Sequence, residues 1–314
     1  MKIVTLGKSS LPVSRLAYGC WRIAGTWEPS EVTPAMETAG RRAVIAALEA
    51  GYTFFDHADI YCQGVAEKIF GDVLREMRGV RERIVISSKC GIRRAGEPTP
   101  DAPYRYDFSA AHIVWSCEQS LRRLGVEAID LYQLHRPDYL CDPAEVAGAF
   151  EQLRKQGKAR EFGVSNFSPP QVTMLRKACP MPLVVNQVEI SLARLDALKD
   201  GTLDQCLAKK ITPLAWSPLA RGKLGTTAPT DREHVEAKIA ARLTETLDAI
   251  AKARGQSRSV IALAWLLKHP AGIVPIVGST SPERIRDAVT ATELDLTREE
   301  WYRLMEAANG SRLP

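Results

Sequence analysis

Residues 129–170 read IDLYQLHRPDYLCDPAEVAGAFEQLRKQGKAREFGVSNFSPP, and the fold is decided there. Ile129–His135 is a short run rich in branched and aromatic residues, as a buried strand requires, and it stops on a histidine. Pro143–Gln156 carries Ala, Val, Phe and Leu at helical spacing with charges between them, which predicts an amphipathic helix. Glu161–Ser165 reads as a strand again. Ser168-Pro169-Pro170 then opens another helix: a capping hydroxyl, followed by prolines where the first turn has no use for an N–H. Strand, helix and strand joined this closely describe a parallel pair with a helical crossover.

The same rhythm runs both ways along the chain. Strands are predicted at Leu16–Gly19, Thr53–Asp56, Arg83–Lys89, Leu183–Gln187, Ile211–Trp216 and Ile273–Val277. Helices are predicted at Glu37–Ala50, Val65–Met77, Ser109–Leu124 (capped by Ser109, stopped by Gly125), Leu203–Lys209, Ala240–Arg254, Ser259–Lys268 and from Pro282. Eight strand-then-helix units favour an α/β fold, a (β/α)8 TIM barrel, over an open sheet. Two pieces lie outside them. Ile3–Leu6 and Pro12–Arg15 form an N-terminal hairpin around Lys8-Ser9-Ser10, placed to plug the barrel floor, and Thr297–Asn309 is an extra C-terminal helix. With no linker-like stretch, residues 1–314 are read as one domain.

Composition narrows the class further. A net charge of +5 spread over 314 residues gives no basic block with interleaved aromatics, so no nucleic-acid partner is expected. The start MKIVTLGKSS has no secretory core, and the most apolar stretch, Ser259–Gly278, is broken by Lys268, His269 and Pro270, so no membrane partner is expected either. Seven cysteines without a C-x-x-C pair suit a reducing, cytoplasmic setting. The expected state is a monomer or weak homo-oligomer.

Barrel chemistry gathers at the C-terminal ends of strands. Those ends offer Asp56 with Tyr61 five residues on, Lys89 and His135: a carboxylate, a phenol, an amine and an imidazole. Asp56-His57-x-Asp59 with His135 suggests a metal site, but an ammonium at Lys89 would repel the cation, and no metal is expected. Gly7-Lys8-Ser9 lacks the earlier glycine of a phosphate loop and is a turn. There is no G-x-G-x-x-G, so a Rossmann dinucleotide site is unsupported.

Phe-Asp-x-Ala-x-x-Tyr at 55–61, Ser-Lys-Cys-Gly at 88–91 and Leu-His-Arg-Pro-Asp at 134–138 resemble the signatures of the aldo-keto reductase family, in its bacterial-type NADPH-dependent branch. Gly-Val-Ser-Asn-Phe at 163–167, Asn-Gln-Val-Glu at 186–189, Trp-Ser-Pro-Leu-Ala at 216–220 and Gly-Ser-Thr-Ser-Pro-Glu-Arg at 278–284 continue the resemblance in order. It implies reduction of a small-molecule carbonyl by NADPH. Tyr61 would give the proton, Lys89 would lower the phenol's pKa from about 10, Asp56 would hold Lys89, and His135 would orient the carbonyl. Ser165, Asn166 and Gln187 would hold the nicotinamide amide, and Trp216 would stack on its ring. Gly19, Cys20, Trp21 and Asp56 would also meet the cofactor. Ser217, Pro218, Leu219 and Gly222 would grip the pyrophosphate. Gly278, Ser279, Thr280, Arg284 and Asp287 would meet the adenosine phosphate, with Arg284 favouring NADPH over NADH.

The resemblance also marks departures. Gly278 and Ala288 stand where many members carry lysine and asparagine, which predicts fewer contacts there; His57 replaces a common threonine and Cys62 a common glycine. His57 is expected only to fill space, and Cys62, beside Tyr61, to make the protein sensitive to thiol oxidation. Trp21 and Trp27 are expected as substrate walls with Tyr61 and His135, and Gly91–Phe108 and Arg221–Lys238 as long substrate loops. A short tail after the last helix predicts an open pocket. Two other readings stay open: an NADPH-sensing barrel with little turnover, and a barrel isomerase or lyase that needs no redox cofactor.

Overall fold

The computed structural model describes residues 1–225 and 235–313. Its centre is a closed barrel of eight parallel strands: β3 (Ala17–Gly19), β4 (Phe54–Asp56), β5 (Val85–Cys90), β8 (Ile129–Leu134), β9 (Ala159–Ser165), β10 (Leu183–Glu189), β11 (Thr212–Trp216) and β12 (Val274–Val277), with β12 closing onto β3. Each predicted strand is present. Around them run α1 (Pro34–Glu49), α2 (Val65–Glu76), α3 (Ala110–Leu124), α4 (Pro143–Lys155), α5 (Pro169–Ala178), α6 (Thr202–Lys209), α7 (Val235–Arg254), α8 (Arg258–Lys268) and α9 (Pro282–Val289). Capping chemistry set their ends as expected. Ser109 Oγ accepts from His112 N at 3.3 Å, Gly125 closes α3 in the left-handed region, and Ser168 shares a capping box with Gln171.

Because the strands are buried on both sides, their two-residue period sorts side chains between two cores. Ile86, Cys90, Tyr132 and Leu134 face the layer between strands and helices. Phe54, Val85, Leu131, Val185, Leu214, Val274 and Ile276 fill the barrel interior with Leu6, Leu11 and Val13. Those last three come from the antiparallel hairpin of β1 (Ile3–Thr5) and β2 (Pro12–Ser14), which closes the floor. Gly7 at its tip donates to Thr212 Oγ1 at 2.8 Å, at the start of β11.

At the other end of the chain, α10 (Arg298–Asn309) packs on α8 through Trp301 and Trp265. Their rings stack at 5.1 Å, and each indole N–H bonds the other's carbonyl. Two expectations are corrected. Gly91–Phe108 is not only loop, because β6 (Ile92–Arg93) and β7 (Arg105–Tyr106) pair as a short ribbon. Helix α7 begins at Val235, five residues before the polar sequence suggested, and part of the Arg221–Lys238 segment lies outside the described residues.

The floor contact gives a stability test. Gly7 has φ +50°, and a methyl there would sit 2.4 Å from the Val184 carbonyl oxygen, whereas Gly51, at φ +86°, has open space around it. Gly51→Ala should cost about 1 kcal/mol from backbone strain alone, and Gly7→Ala about 1–3 kcal/mol more. Urea unfolding of the two variants checks this, and equal losses would mean that the hairpin tip is not docked.

Candidate active site

Above the apolar interior layer the inward positions turn polar, and the change follows the strand period. On β5, Val85 is followed inward by Ser87 and then Lys89; on β8, Leu131 is followed by Gln133 and, just past the strand's end, by His135. Gln133 Nε2 donates to Ser87 Oγ at 2.7 Å, and Ser87 Oγ donates to Asp56 Oδ1 at 3.1 Å. Gln187 Nε2 donates to the same carboxylate oxygen at 2.9 Å. The other oxygen, Oδ2, takes Lys89 Nζ at 2.8 Å. Lys89 is fully enclosed, and its ammonium also donates to the His57 carbonyl at 2.6 Å and reaches Tyr61 Oη at 3.2 Å. Three acceptors thus meet its three protons.

The electrostatics follow from this enclosure. Burial works against the Lys89 ammonium, but Asp56 and Tyr61 outweigh it and its pKa is raised. Burial is also the largest influence on Tyr61 and raises its pKa. Lys89 pulls the phenol down and Asp56 pushes it up, leaving it above the ordinary phenol value. The expectation of a lowered phenol is therefore corrected in net sign: Lys89 acts in the expected direction, and burial wins. His135 goes the other way. Burial first, then Lys89 and Arg136, hold it well below the usual histidine range, so its ring is neutral. The Tyr61 and His135 rings stand nearly perpendicular, 5.9 Å apart.

A cavity of about 790 Å³ opens from these two rings. Asp56, Tyr61, His135, Gly19, Trp21, Trp27, Ser165, Asn166, Gln187, Trp216, Ser217, Pro218, Leu219, Gly222, Gly278, Ser279, Arg284 and Asp287 all line it. Asn166, at φ +63°, ties its parts together. Its Oδ1 accepts from the Trp216 indole at 2.9 Å, while Nδ2 reaches Ser165 Oγ at 2.8 Å and the His135 carbonyl at 3.1 Å. Trp21, Trp27 and Tyr61 form an aromatic row with centroid spacings of 5.3 and 6.3 Å.

Two expected wall residues stand elsewhere. Cys20 is buried and Thr280 points to solvent, because each neighbours a residue that does face the cavity. Lys89 lies behind the wall, reaching the cavity only through Tyr61. Asp287 lines the cavity, but its carboxylate accepts from Ser257 Oγ at 2.7 Å. Cys62 is buried and burial raises its thiol pKa, so it is a poor oxidation target and that expectation is corrected. His57 fills space as expected: it is enclosed against Phe70 at 4.6 Å, and burial with Lys89 lowers its pKa to about 3. Sequence reasoning missed Arg22, Arg136, Arg221, Ser257 and Ser259 on the wall. Arg136 was within reach, since it directly follows the strand-end histidine.

Comparison with known proteins now has a geometry to rest on. The profile described as the aldo/keto reductase family matches residues 15–309, and the chain belongs to that family. It is 40% identical over 315 residues to a 6-dehydroglucose reductase of Novosphingobium aromaticivorans, covering 98% of this chain and 96% of the relative. It is 38% identical to a protein of the same name from Agrobacterium fabrum, over 96% of this chain and 97% of the relative. Among solved structures, the glycerol dehydrogenase of Gluconobacter oxydans superposes with a TM-score of 0.86 at 28% identity, over 99% of this chain and 97% of that one. Membership makes the protein an oxidoreductase of carbonyl or alcohol groups, with a nicotinamide cofactor typical of its kind. Among the described residues, no helix is long and apolar enough to cross a membrane.

One group behind the site offers a pH test. The Asp59 carboxylate accepts from Ser116 Oγ at 2.6 Å, while its other oxygen is enclosed with no partner among the described residues. Burial, opposed by Ser116 and reinforced by Glu67, pushes its pKa up to about 7. Between the unfolded value near 4 and that point the folded chain binds the extra proton, so stability falls as pH rises through this window. Asp59→Asn keeps an acceptor for Ser116 and should be more stable than wild type at pH 8, with the gap closing toward pH 4. Parallel stability curves for the two proteins would contradict the assignment.

Proposed function

We propose that the protein reduces aldehydes or ketones to alcohols with NADPH, with Tyr61 as the general acid. The observation that carries this is the enclosed Lys89, which bonds both Asp56 and Tyr61 behind the cavity wall.

The cavity suits a dinucleotide in size and lining. It extends from Tyr61 past Trp216 and the 217–222 turn to Ser279 and Arg284. Ser217, Ala220 and Arg221 hold left-handed backbone along that turn, and Gly222 leaves open space where a side chain would project. Gly278 faces Trp21: a methyl there would lie 3.2 Å from the indole nitrogen. Ser165, Asn166 and Gln187 would hold the nicotinamide amide against Trp216, and the backbone of residues 217–222 the pyrophosphate. Ser279 with the start of α9 and Arg284 would hold the 2′-phosphate. Gly19, Trp21, Asp56 and Asp287 complete that wall. Gly278 and Ala288 add no polar side chain at this end. When bound, the reduced cofactor supplies the hydride.

The protein's own part is to hold the carbonyl and deliver a proton. Neutral His135 donates a hydrogen bond to the carbonyl oxygen, and Tyr61 faces the same oxygen. A phenol held above its ordinary range keeps its proton at neutral pH, which an acid must do before the reaction. As negative charge grows on the substrate oxygen, the proton moves to it from Tyr61, and the phenolate left behind rests beside the Lys89 ammonium. Asp56 keeps that ammonium in place, and Trp21 and Trp27 wall the substrate.

Tyr61→Phe should lower kcat for an activated aromatic aldehyde by about 10²–10⁴ while NADPH binding stays nearly constant. Full turnover by this variant would remove Tyr61 from the mechanism, and NADPH binding without turnover across a broad aldehyde panel would favour a sensor. Because His135 stays neutral and Tyr61 protonated, kcat/KM for reduction should be flat from about pH 6 to about pH 9 and fall only above. A break near the ordinary histidine pKa would contradict this. Arg284→Ala should cut the preference for NADPH over NADH by about tenfold or more; an unchanged ratio would place the 2′-phosphate elsewhere.

A further inference from the structure

The charges on the cavity wall do not balance. Its carboxylates are Asp56 and Asp287, and both are engaged, one by Lys89, Ser87 and Gln187 and the other by Ser257. Its guanidiniums are Arg22, Arg136, Arg221 and Arg284. Arg221 and Arg284 lie in the stretch assigned above to the cofactor. Arg136 does not. It follows His135 directly, and its guanidinium carbon sits 5.4 Å from the centroid of the Trp216 ring.

That position is built rather than incidental. The Trp216 ring is fixed by its bond to Asn166, so the surface beneath the guanidinium is rigid. A guanidinium on an aromatic face keeps its planar fork of donors free for an anion. The acid nearest in sequence is not its partner: Asp138 accepts from Phe108 N at 2.9 Å and from Leu140 N at 2.9 Å. Among the described residues no carboxylate pairs with Arg136, whereas Arg93 and Arg94 beside the same mouth pair with Asp107 and Glu28. A half-buried guanidinium with no carboxylate partner among the described residues, next in sequence to His135, is a receptor for negative charge.

We propose that Arg136 is a specificity residue that receives an oxyanion, carboxylate or phosphate, carried by the substrate a few bonds from the reacting carbonyl. This rests on the reductase reading and narrows its substrate class: a neutral aldehyde leaves Arg136 unused, and an anionic one fills both ends of the pocket.

The test compares matched substrates. Succinic semialdehyde is set against butanal for a carboxylate, and glyceraldehyde 3-phosphate against glyceraldehyde for a phosphate. The anionic member of at least one pair should have kcat/KM about tenfold or more above its neutral partner, and the favoured pair identifies which oxyanion the site takes. Arg136→Gln should collapse that ratio to near one, and Arg136→Lys should restore part of it. The ratio cancels any effect of the substitution on cofactor binding, and added salt should erode it.

Equal kcat/KM within both wild-type pairs, or a ratio that survives Arg136→Gln, overturns the inference. A separate arm measures binding of succinate, a non-reacting carboxylate, by calorimetry to the NADPH-loaded protein and its Arg136→Gln variant. If no aldehyde is reduced but succinate binds only with Arg136 present, the anion site stands and the reductase reading fails. If no aldehyde is reduced and succinate binding is absent or insensitive to the substitution, the anion site fails as well.

Discussion

The structure depends on one buried ammonium. Enclosing a cation in a barrel costs several kcal/mol after relaxation, and only near-ideal partners offset it. Lys89 has them in Asp56, the His57 carbonyl and Tyr61 Oη. Each partner is fixed in turn: Asp56 by Ser87 and Gln187, His57 by its amide bond to the Ser87 carbonyl at 2.9 Å, and Tyr61 by a tight turn. The geometry around the phenol is therefore inherited from strand register. Moving β5 by one residue would turn Lys89 outward and put Ser88 or Cys90 in its place.

The same register explains why interior chemistry appears only at one end. The floor is sealed by apolar side chains from the hairpin, so the lower half of the barrel stays dry and rigid. Polar inward residues begin at Ser87 and Gln133, which a hydrogen bond between neighbouring strands joins, although Gln133 Oε1 has no partner among the described residues. Above that layer the strands end, and their loops carry Tyr61, His135, Asn166 and the 217–222 turn. A stable lower half and a chemically loaded upper half are two consequences of one closed sheet.

Most of this was legible in the sequence, for particular reasons. Strands β5 and β8 declare themselves because they are buried on both faces and end on ionisable residues, and α3 because Ser109 and Gly125 bracket it. Asp56, Tyr61, Lys89 and His135 were legible as a set because each sits at a strand end or one turn beyond. What the sequence hid depended on distance or on a balance of forces. The ribbon of β6 and β7 has only two residues per strand, too few to show a period. Ser257 reaches the cavity because α8 begins beside α9, a tertiary accident of helix packing. The direction of the Tyr61 shift needed the burial of the phenol, which no local pattern reports. Cys62 looked reactive by proximity to Tyr61, and only its enclosure shows otherwise.

Backbone strain points to the same division of labour. Among the described residues, positive φ at non-glycine positions occurs at Cys62, Gln63, Asn166, Ser217, Ala220 and Arg221, and at Lys210, which simply ends α6. The first six all belong to loops at the mouth of the barrel. Each such residue costs about 1–3 kcal/mol, and a chain selected for stability alone would place glycine there or use other turns. Asn166 tolerates the left-handed region best, and its amide is the group that joins Trp216, Ser165 and the His135 carbonyl. Ser217, Ala220 and Arg221 bend a short turn so that backbone as well as side chains faces the cavity. Strain is concentrated where the wall must present polar groups at fixed positions, and the dry lower core supplies the stability that tolerates it.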